Sequence, residues 1–188
     1  LGLIDLSLLG VMSFSATCGL LLLEKGCPAV IAILVIFLTG ACIGALNGVL
    51  IAKLKAVALV ETLAVKLTLL GAFLVITQGR AITNMPDSYK WFGQGSIAGI
   101  PTLPIALVAV FVFVYILWNK TPYGRSLYAV GGNEDAAYVS GIKVDRIKII
   151  AFTISGFLAG VAGVFLSAYM GAVTSTFGTS YDMNNIAA

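Results

Sequence analysis

Asp5, Glu61, Lys66 and Asp182 are ionisable side chains set within or at the edge of apolar stretches. Charge is costly in hydrocarbon, so such residues face a partner, a polar path or the bilayer edge. Glu61 and Lys66 are five positions apart, about 140° around a helix, and do not pair well with each other. Glu61 lies near one end of its stretch, where a long side chain can snorkel. Lys66 sits deeper and shares a face with Thr62, a combination that suits a translocation path; pairing with another helix or snorkelling is the structural alternative. Asp5 and Ser7 either start a helix, with Asp5 as its N-cap, or mark a broken helix that lines a path. Asp182, beside Tyr181, carries the same pair of readings. Asn47 is interhelical glue or a path residue.

Enzymatic chemistry is poorly served. The sequence holds no histidine, which removes His-based triads and His-ligated metals. Cys18, Cys27 and Cys42 form no CxxC; Cys18 and Cys42 read as small buried hydrophobes. No GxxxxGK[ST] phosphate loop is present. The net charge of +3 is spread along loops and gives no reason to invoke nucleic acid.

The densest polar segment is GGNEDAAYVSGIKVDRIK, residues 131–148, which holds three of the eight acids and three of the eleven bases. Asn133 is a good N-cap, Glu134 and Asp135 complement the dipole of a first turn, and Gly141 suits the C′ position. A helix over 134–140 is expected. A helix so short is marginal alone in water. The segment either merely joins two spans or docks against another surface.

The elements that position these residues are membrane spans. With 60% hydrophobic and 10% charged residues, lipid must cover part of the surface. Five apolar runs, 6–23, 29–52, 56–77, 100–118 and 147–170, approach the ~20 residues a spanning helix needs. Continuous apolarity without alternation argues helices rather than a barrel. The tail 181–188 reads as the start of a sixth. The expected fold is an all-α polytopic bundle, one transmembrane domain over 1–188 with a cytoplasmic loop at 119–146. Alternate loops carry three basic residues against seven, which places 53–55 and 119–146 in the cytoplasm and 84–99 outside. Gly40, Gly44 and Gly48 recur every four residues, and Gly156, Gly160 and Gly163 nearly so; both sets read as close-packing faces. A faint likeness between 44–52 and 159–168 is too weak to establish a repeat. The missing initial Met and the apolar end suggest an internal fragment.

The stretch 121–163, TPYGRSLYAVGGNEDAAYVSGIKVDRIKIIAFTISGFLAGVAG, resembles the cytoplasmic-loop signature of bacterial ABC-transporter permeases of the ribose/xylose/galactoside type. LIDLS (3–7), GALNGVLIAKLK (44–55), Thr62–Leu63, TQGRAI (77–82), FGQGSIAGIP (92–101) and YDMNNIAA (181–188) fit in the same order. The resemblance implies that the chain binds no ATP and that a separate cytoplasmic ATPase subunit does. It implies that Gly131, Gly132, Asn133, Glu134, Ala136, Ala137, Ser140 and Gly141 face that ATPase. An extracytoplasmic binding protein and a second permease subunit, identical or not, complete such an importer in the bacterial cytoplasmic membrane. The chain departs from the family's pattern at Val57 and Ala58, where prolines are common, at Glu61 and Lys66, usually apolar, and at Leu70, often arginine. A straighter start to the third helix is expected, and substrate preference does not carry over.

The function expected is import of a monosaccharide or similar small polar solute, with ATP hydrolysed elsewhere. Asp5, Ser7, Asn47, Thr62 and Lys66 are the path candidates. An ion-coupled secondary transporter using Glu61 and Lys66 as relay is the alternative. A membrane enzyme lacks a credible nucleophile–base pair.

Overall fold

The computed structural model describes residues 3–174 and Phe177. The expected segment 181–188, with Asp182, lies outside the described residues. Within them the chain is an all-α, multi-pass membrane bundle. Its helices are α1 (Leu8–Glu24), α2 (Ala29–Lys53), α3 (Ala58–Thr77), α4 (Asp87–Gln94), α5 (Thr102–Lys120), α6 (Pro122–Gly132), α7 (Glu134–Val139) and α8 (Val144–Met170). A hairpin of β1 (Ser96–Ile97) and β2 (Ile100–Pro101) precedes α5.

Four helices, α2, α3, α5 and α8, are long and apolar enough to cross a membrane. The α1 helix is apolar but has 17 residues against 25 in α2, about 25 Å against 37 Å at 1.5 Å per residue. The missing length is at its start. Leu6 and Ser7 meet residues of α3 and α2 that lie inside those helices rather than at their ends. At the other end Arg80 pairs with Glu24 at 3.4 Å, and Ile82 bridges to Val173, so the loops after α1, α3 and α8 share one side.

The core sits where α1, α2 and α8 meet. Leu20, Ala16, Ile36 and Val164 are almost wholly enclosed there. In contrast α5 packs chiefly on α4 and α6, its neighbours in sequence. An apolar cavity of about 790 Å³ opens between α5, α1 and α8, lined by residues such as Leu9, Leu107 and Phe165.

Three local elements differ from the expectations. The segment 119–146 is not one loop with one helix, because α6 occupies Pro122–Gly132. Thr121 caps it by accepting the Gly124 N–H at 3.2 Å, and Pro122 takes the first helical position, where no N–H partner is needed. The α7 helix ends at Val139, with Ser140 as C-cap, one residue short of the expected end. The connection between α3 and α5 carries α4, which packs on α8, and the hairpin, which leads into α5.

Candidate functional site

Asp5 does not cap α1 directly. It precedes the N-cap residue, Ser7, by two positions. Its Oδ1 accepts the Ser7 backbone N–H at 2.9 Å and the Ser7 hydroxyl at 2.6 Å. This Asx turn ends the extended chain and aims α1 into the bundle. Two spans grip the turn. Asn47 of α2 donates Nδ2 to Ser7 Oγ at 2.8 Å, and Ser155 of α8 donates to Asp5 Oδ2 at 3.1 Å. A third span joins at Thr62 of α3, whose hydroxyl accepts the Leu6 N–H at 3.1 Å and donates to Ala58 O.

The structure therefore brings Asp5, Ser7, Asn47 and Thr62 into one polar cluster. It adds Ser155, which the sequence reading did not single out. A lone serine on a glycine-rich apolar helix carries no signal in sequence until its partner across the bundle is known. Lys66 lies one turn beyond Thr62 on the α1-facing side of α3: a Cβ on Gly10 would stand 3.0 Å from Lys66 Cα. Glu61 is half-buried beside the cluster. Neither Glu61 oxygen nor Asn47 Oδ1 has a hydrogen-bond partner among the described residues. These three atoms are acceptors only, so the cluster can accept donors beyond its own. Among the described residues no group of His, Cys, Asp and Glu is placed to hold a metal ion.

The cluster is framed by a seam of glycines. A Cβ on Gly40 would collide with Gly156 O, one on Gly44 with Phe152 O, and one on Gly156 with Gly40 O. A Cβ on Gly48 would stand 2.8 Å from Ile149 Cα, and one on Gly160 3.0 Å from Ile36 O. Backbones of α2 and α8 are thus in direct contact over three helical turns, an approach open only to glycine. Gly163 faces a different neighbour, Met12 O of α1, at 2.9 Å from a Cβ built on it.

Outside the bundle, α7 is a small but well-defined element. Asn133 Oδ1 accepts the Ala136 N–H at 2.9 Å and caps its start. Gly141, at φ +82°, ends it: Ile142 N bonds Ala137 O and Gly141 N bonds Tyr138 O, both at 3.0 Å. That pairing is a Schellman closure, which needs the left-handed residue glycine supplies. Ala137 is buried among Val130 and Val144. It was expected to face a partner; it anchors α7 to its own chain instead, because the apolar side of so short a helix must be covered by something. Gly131, Gly132, Asn133, Glu134, Ala136, Ser140 and Gly141 are exposed. Gly131 and Gly132 close α6 and line an open groove of about 480 Å³ with Trp118, Leu127 and Tyr128. Glu134 is ion-paired with Lys148 of α8 at 2.7 Å.

Sequence reasoning missed the largest apolar surface of α7. Tyr138 and Val139 are 74% and 85% exposed. In contrast, Tyr123 of α6 is held by its own chain, its hydroxyl donating to Ile147 O at 3.4 Å and its phenol pushed up to about 12 by burial. At the far end of the molecule Tyr89 of α4 is fully enclosed and shares a 2.7 Å hydrogen bond with Ser167. Burial pushes its phenol up to about 12, and the Ser167 bond pulls the other way. It stays neutral and pins the connection between α3 and α5 onto α8.

Comparison with known proteins agrees with this architecture. Residues 1–188 match the family described as branched-chain amino acid transport system / permease component. The chain is 39% identical over 187 residues to the ribose import permease protein RbsC of Bacillus subtilis (strain 168), covering 98% of this chain and 58% of that protein. It is 32% identical over 187 residues to the autoinducer 2 import system permease protein LsrC of Photorhabdus laumondii, covering 98% of this chain and 56% of that one. With the fructose import permease protein FruF of Bifidobacterium longum it shares 34% over 169 residues, 88% of this chain and 48% of the other. The chain thus spans between 48% and 58% of the length of these relatives. No solved structure matches it.

Proposed function

Because the chain belongs to the family of branched-chain amino acid transport system permease components, we propose that it forms part of the membrane-spanning subunit of an ABC importer. In this reading the subunit moves a monosaccharide or similar small polar solute across the bacterial cytoplasmic membrane and is not itself an enzyme. ATP is bound and hydrolysed by a separate cytoplasmic subunit. A binding protein outside delivers the solute, and a second permease subunit completes the passage. The relatives' names, with ribose, fructose and autoinducer 2 as cargoes, support a small polar solute.

One observation carries the reading. A capped six-residue helix outside the spans is anchored by Ala137 and presents Tyr138 and Val139 almost bare. Large apolar side chains displayed on a fixed polar element mark a docking surface. In the proposed complex Glu134, Ala136 and Ser140 with these two residues meet the ATPase, and Gly131, Gly132, Asn133 and Gly141 give the element its shape.

Asp5, Ser7, Asn47, Thr62 and Lys66 are proposed as the polar part of the path. A neutral polyol donates hydroxyl protons, and Asn47 Oδ1 and the Glu61 carboxylate are acceptors without partners among the described residues. The short α1, beginning inside the bundle, gives the solute a polar step in an otherwise apolar wall.

The test is Val139→Asp in the full-length protein with its ATPase. Val139 touches little of its own chain, so the span bundle should fold and insert normally. Loss of one apolar docking anchor costs about 2 kcal/mol, roughly thirtyfold in complex affinity. Copurification of the ATPase and ATP-driven uptake should fall together. Undiminished copurification would remove α7 as the docking element.

A further inference from the structure

We infer that Lys148 and Ser155 of α8 are positioning residues, the two ends of a lever that carries displacement of α7 to the polar turn at the start of α1. The inference rests on the reading of α7 as the ATPase dock and goes beyond it by naming the route inward.

The lever has a handle. Lys148 Nζ donates to Glu134 Oε1 at 2.7 Å, and the Lys148 side chain is only 13% exposed. An ion pair shielded on one side is less screened than a fully exposed one. It joins the first residue of α7 to the second turn of α8. With Ala137 seated between Val130 of α6 and Val144 of α8, a shift of α7 pulls on both helices, and the Glu134–Lys148 pair adds a second tie to α8.

The lever has a stiff body. Lys148, Phe152 and Ser155 follow i, i+4, i+7 spacing, so Lys148 and Ser155 lie on one face two turns apart, about 10 Å. Phe152 stands between them against Gly44 and Gly48. Over this stretch the α2 and α8 backbones touch, and packed interfaces of this kind move as units instead of deforming gradually. The pair α2–α8 is therefore one body.

The lever has a working end. That one body holds the turn at the start of α1 from both of its members, Asn47 on Ser7 and Ser155 on Asp5. Thr62 of α3 holds the same turn from outside the pair. When α2–α8 moves against α3, the turn must follow one side and strain the other. A signal from the cytoplasmic helix is thereby delivered to the residues proposed as the path.

The experiment uses the full-length permease, its ATPase and its binding protein in proteoliposomes. It reads ATPase copurification, solute uptake per ATP hydrolysed and apparent solute affinity. Lys148→Gln and Ser155→Ala should each leave copurification and affinity unchanged while uptake per ATP falls at least about fivefold, the lower range of an allosteric coupling. The double variant should be no worse than either single, since both break one route. Lys148→Arg and Ser155→Thr, which keep the charge and the hydroxyl, should restore most of the ratio and show that the singles were not misfolded. Unchanged uptake per ATP in Lys148→Gln, or single effects that multiply in the double, would overturn the lever. If the wild-type chain fails to retain the ATPase, the docking reading fails instead.

Discussion

Gly48 and Asn47 are neighbours on α2 and meet the rest of the bundle by different physics. Gly48 and its partners at 40 and 44 bring α2 onto α8 backbone to backbone, with no polar side chain in the seam. Asn47 reaches Ser7, and through it a chain of hydrogen bonds to Asp5 and Ser155. In lipid neither contact is driven by expulsion of water, because the acyl chains are as apolar as leucine. What remains is dispersion from close approach in the seam, and hydrogen bonding in the cluster. The seam extends over many atom pairs and tolerates no added atom. The cluster consists of a few bonds, and among the described residues it leaves acceptors unused. The seam is built to be rigid, and the cluster to exchange partners.

Gly44→Leu gives the largest effect and the sharpest test of that contrast. Its Cβ alone would overlap Phe152 O, and backbone cannot rotate aside as a side chain can. Overpacking costs about 3 kcal/mol or more when the helices must separate. The expected result is a protein that unfolds at markedly lower SDS fraction in mixed micelles, with α2 and α8 apart by cross-linking. A Gly44→Leu protein as resistant as wild type would mean the seam is not the rigid element.

Asp5→Ala comes second. It strips the acceptor from the Ser7 N–H, the Ser7 hydroxyl and the Ser155 hydroxyl at once. Each hydroxyl can find another acceptor, so the expected cost is about 2 kcal/mol, dominated by groups left buried and unbonded. Asp5→Asn keeps an oxygen and should recover much of it. SDS unfolding of the pair measures the difference. A loss in Asp5→Ala equal to that of Gly44→Leu would erase the distinction between the two regions.

The seam and the cluster were not equally legible in the sequence. Periodicity is a local property, and it exposed the spans and the glycine faces because 40, 44 and 48 announce themselves every four residues. The cap at Asn133 and the stop at Gly141 were readable for the same reason: both act within four residues of themselves. The cluster depends on partners far apart in sequence, Asp5 with Ser155 above all. Single polar residues could be suspected there, but no pattern says which will meet. The α6 helix was hidden behind its two terminal glycines, and the role of Ala137 depended on Val130 and Val144 folding over it. Tyr138 and Val139 were passed over because a short apolar pair in a polar loop looks like ordinary sequence until its exposure is known.

Asn47→Leu should have the smallest effect, and its sign tests the contrast most directly. Leucine matches asparagine in branching and heavy-atom count, though its methyls are bulkier, and removes one hydrogen bond, that to Ser7. Bonds between membrane helices contribute only about 0.6 kcal/mol on average, because partners are also found when helices separate. The same substitution deletes Oδ1, a buried acceptor with no partner among the described residues, and removing such an atom is favourable. The two terms nearly cancel, so SDS unfolding should shift little in either direction. Transport should not be spared in the same way, since the deleted oxygen is one of the acceptors proposed to meet the solute. A stable bundle with weakened apparent solute affinity would separate the two regions cleanly: the seam holds the fold, and the cluster gives up some stability to keep acceptors available. A strongly destabilised Asn47→Leu protein would instead make the cluster a structural joint like the seam.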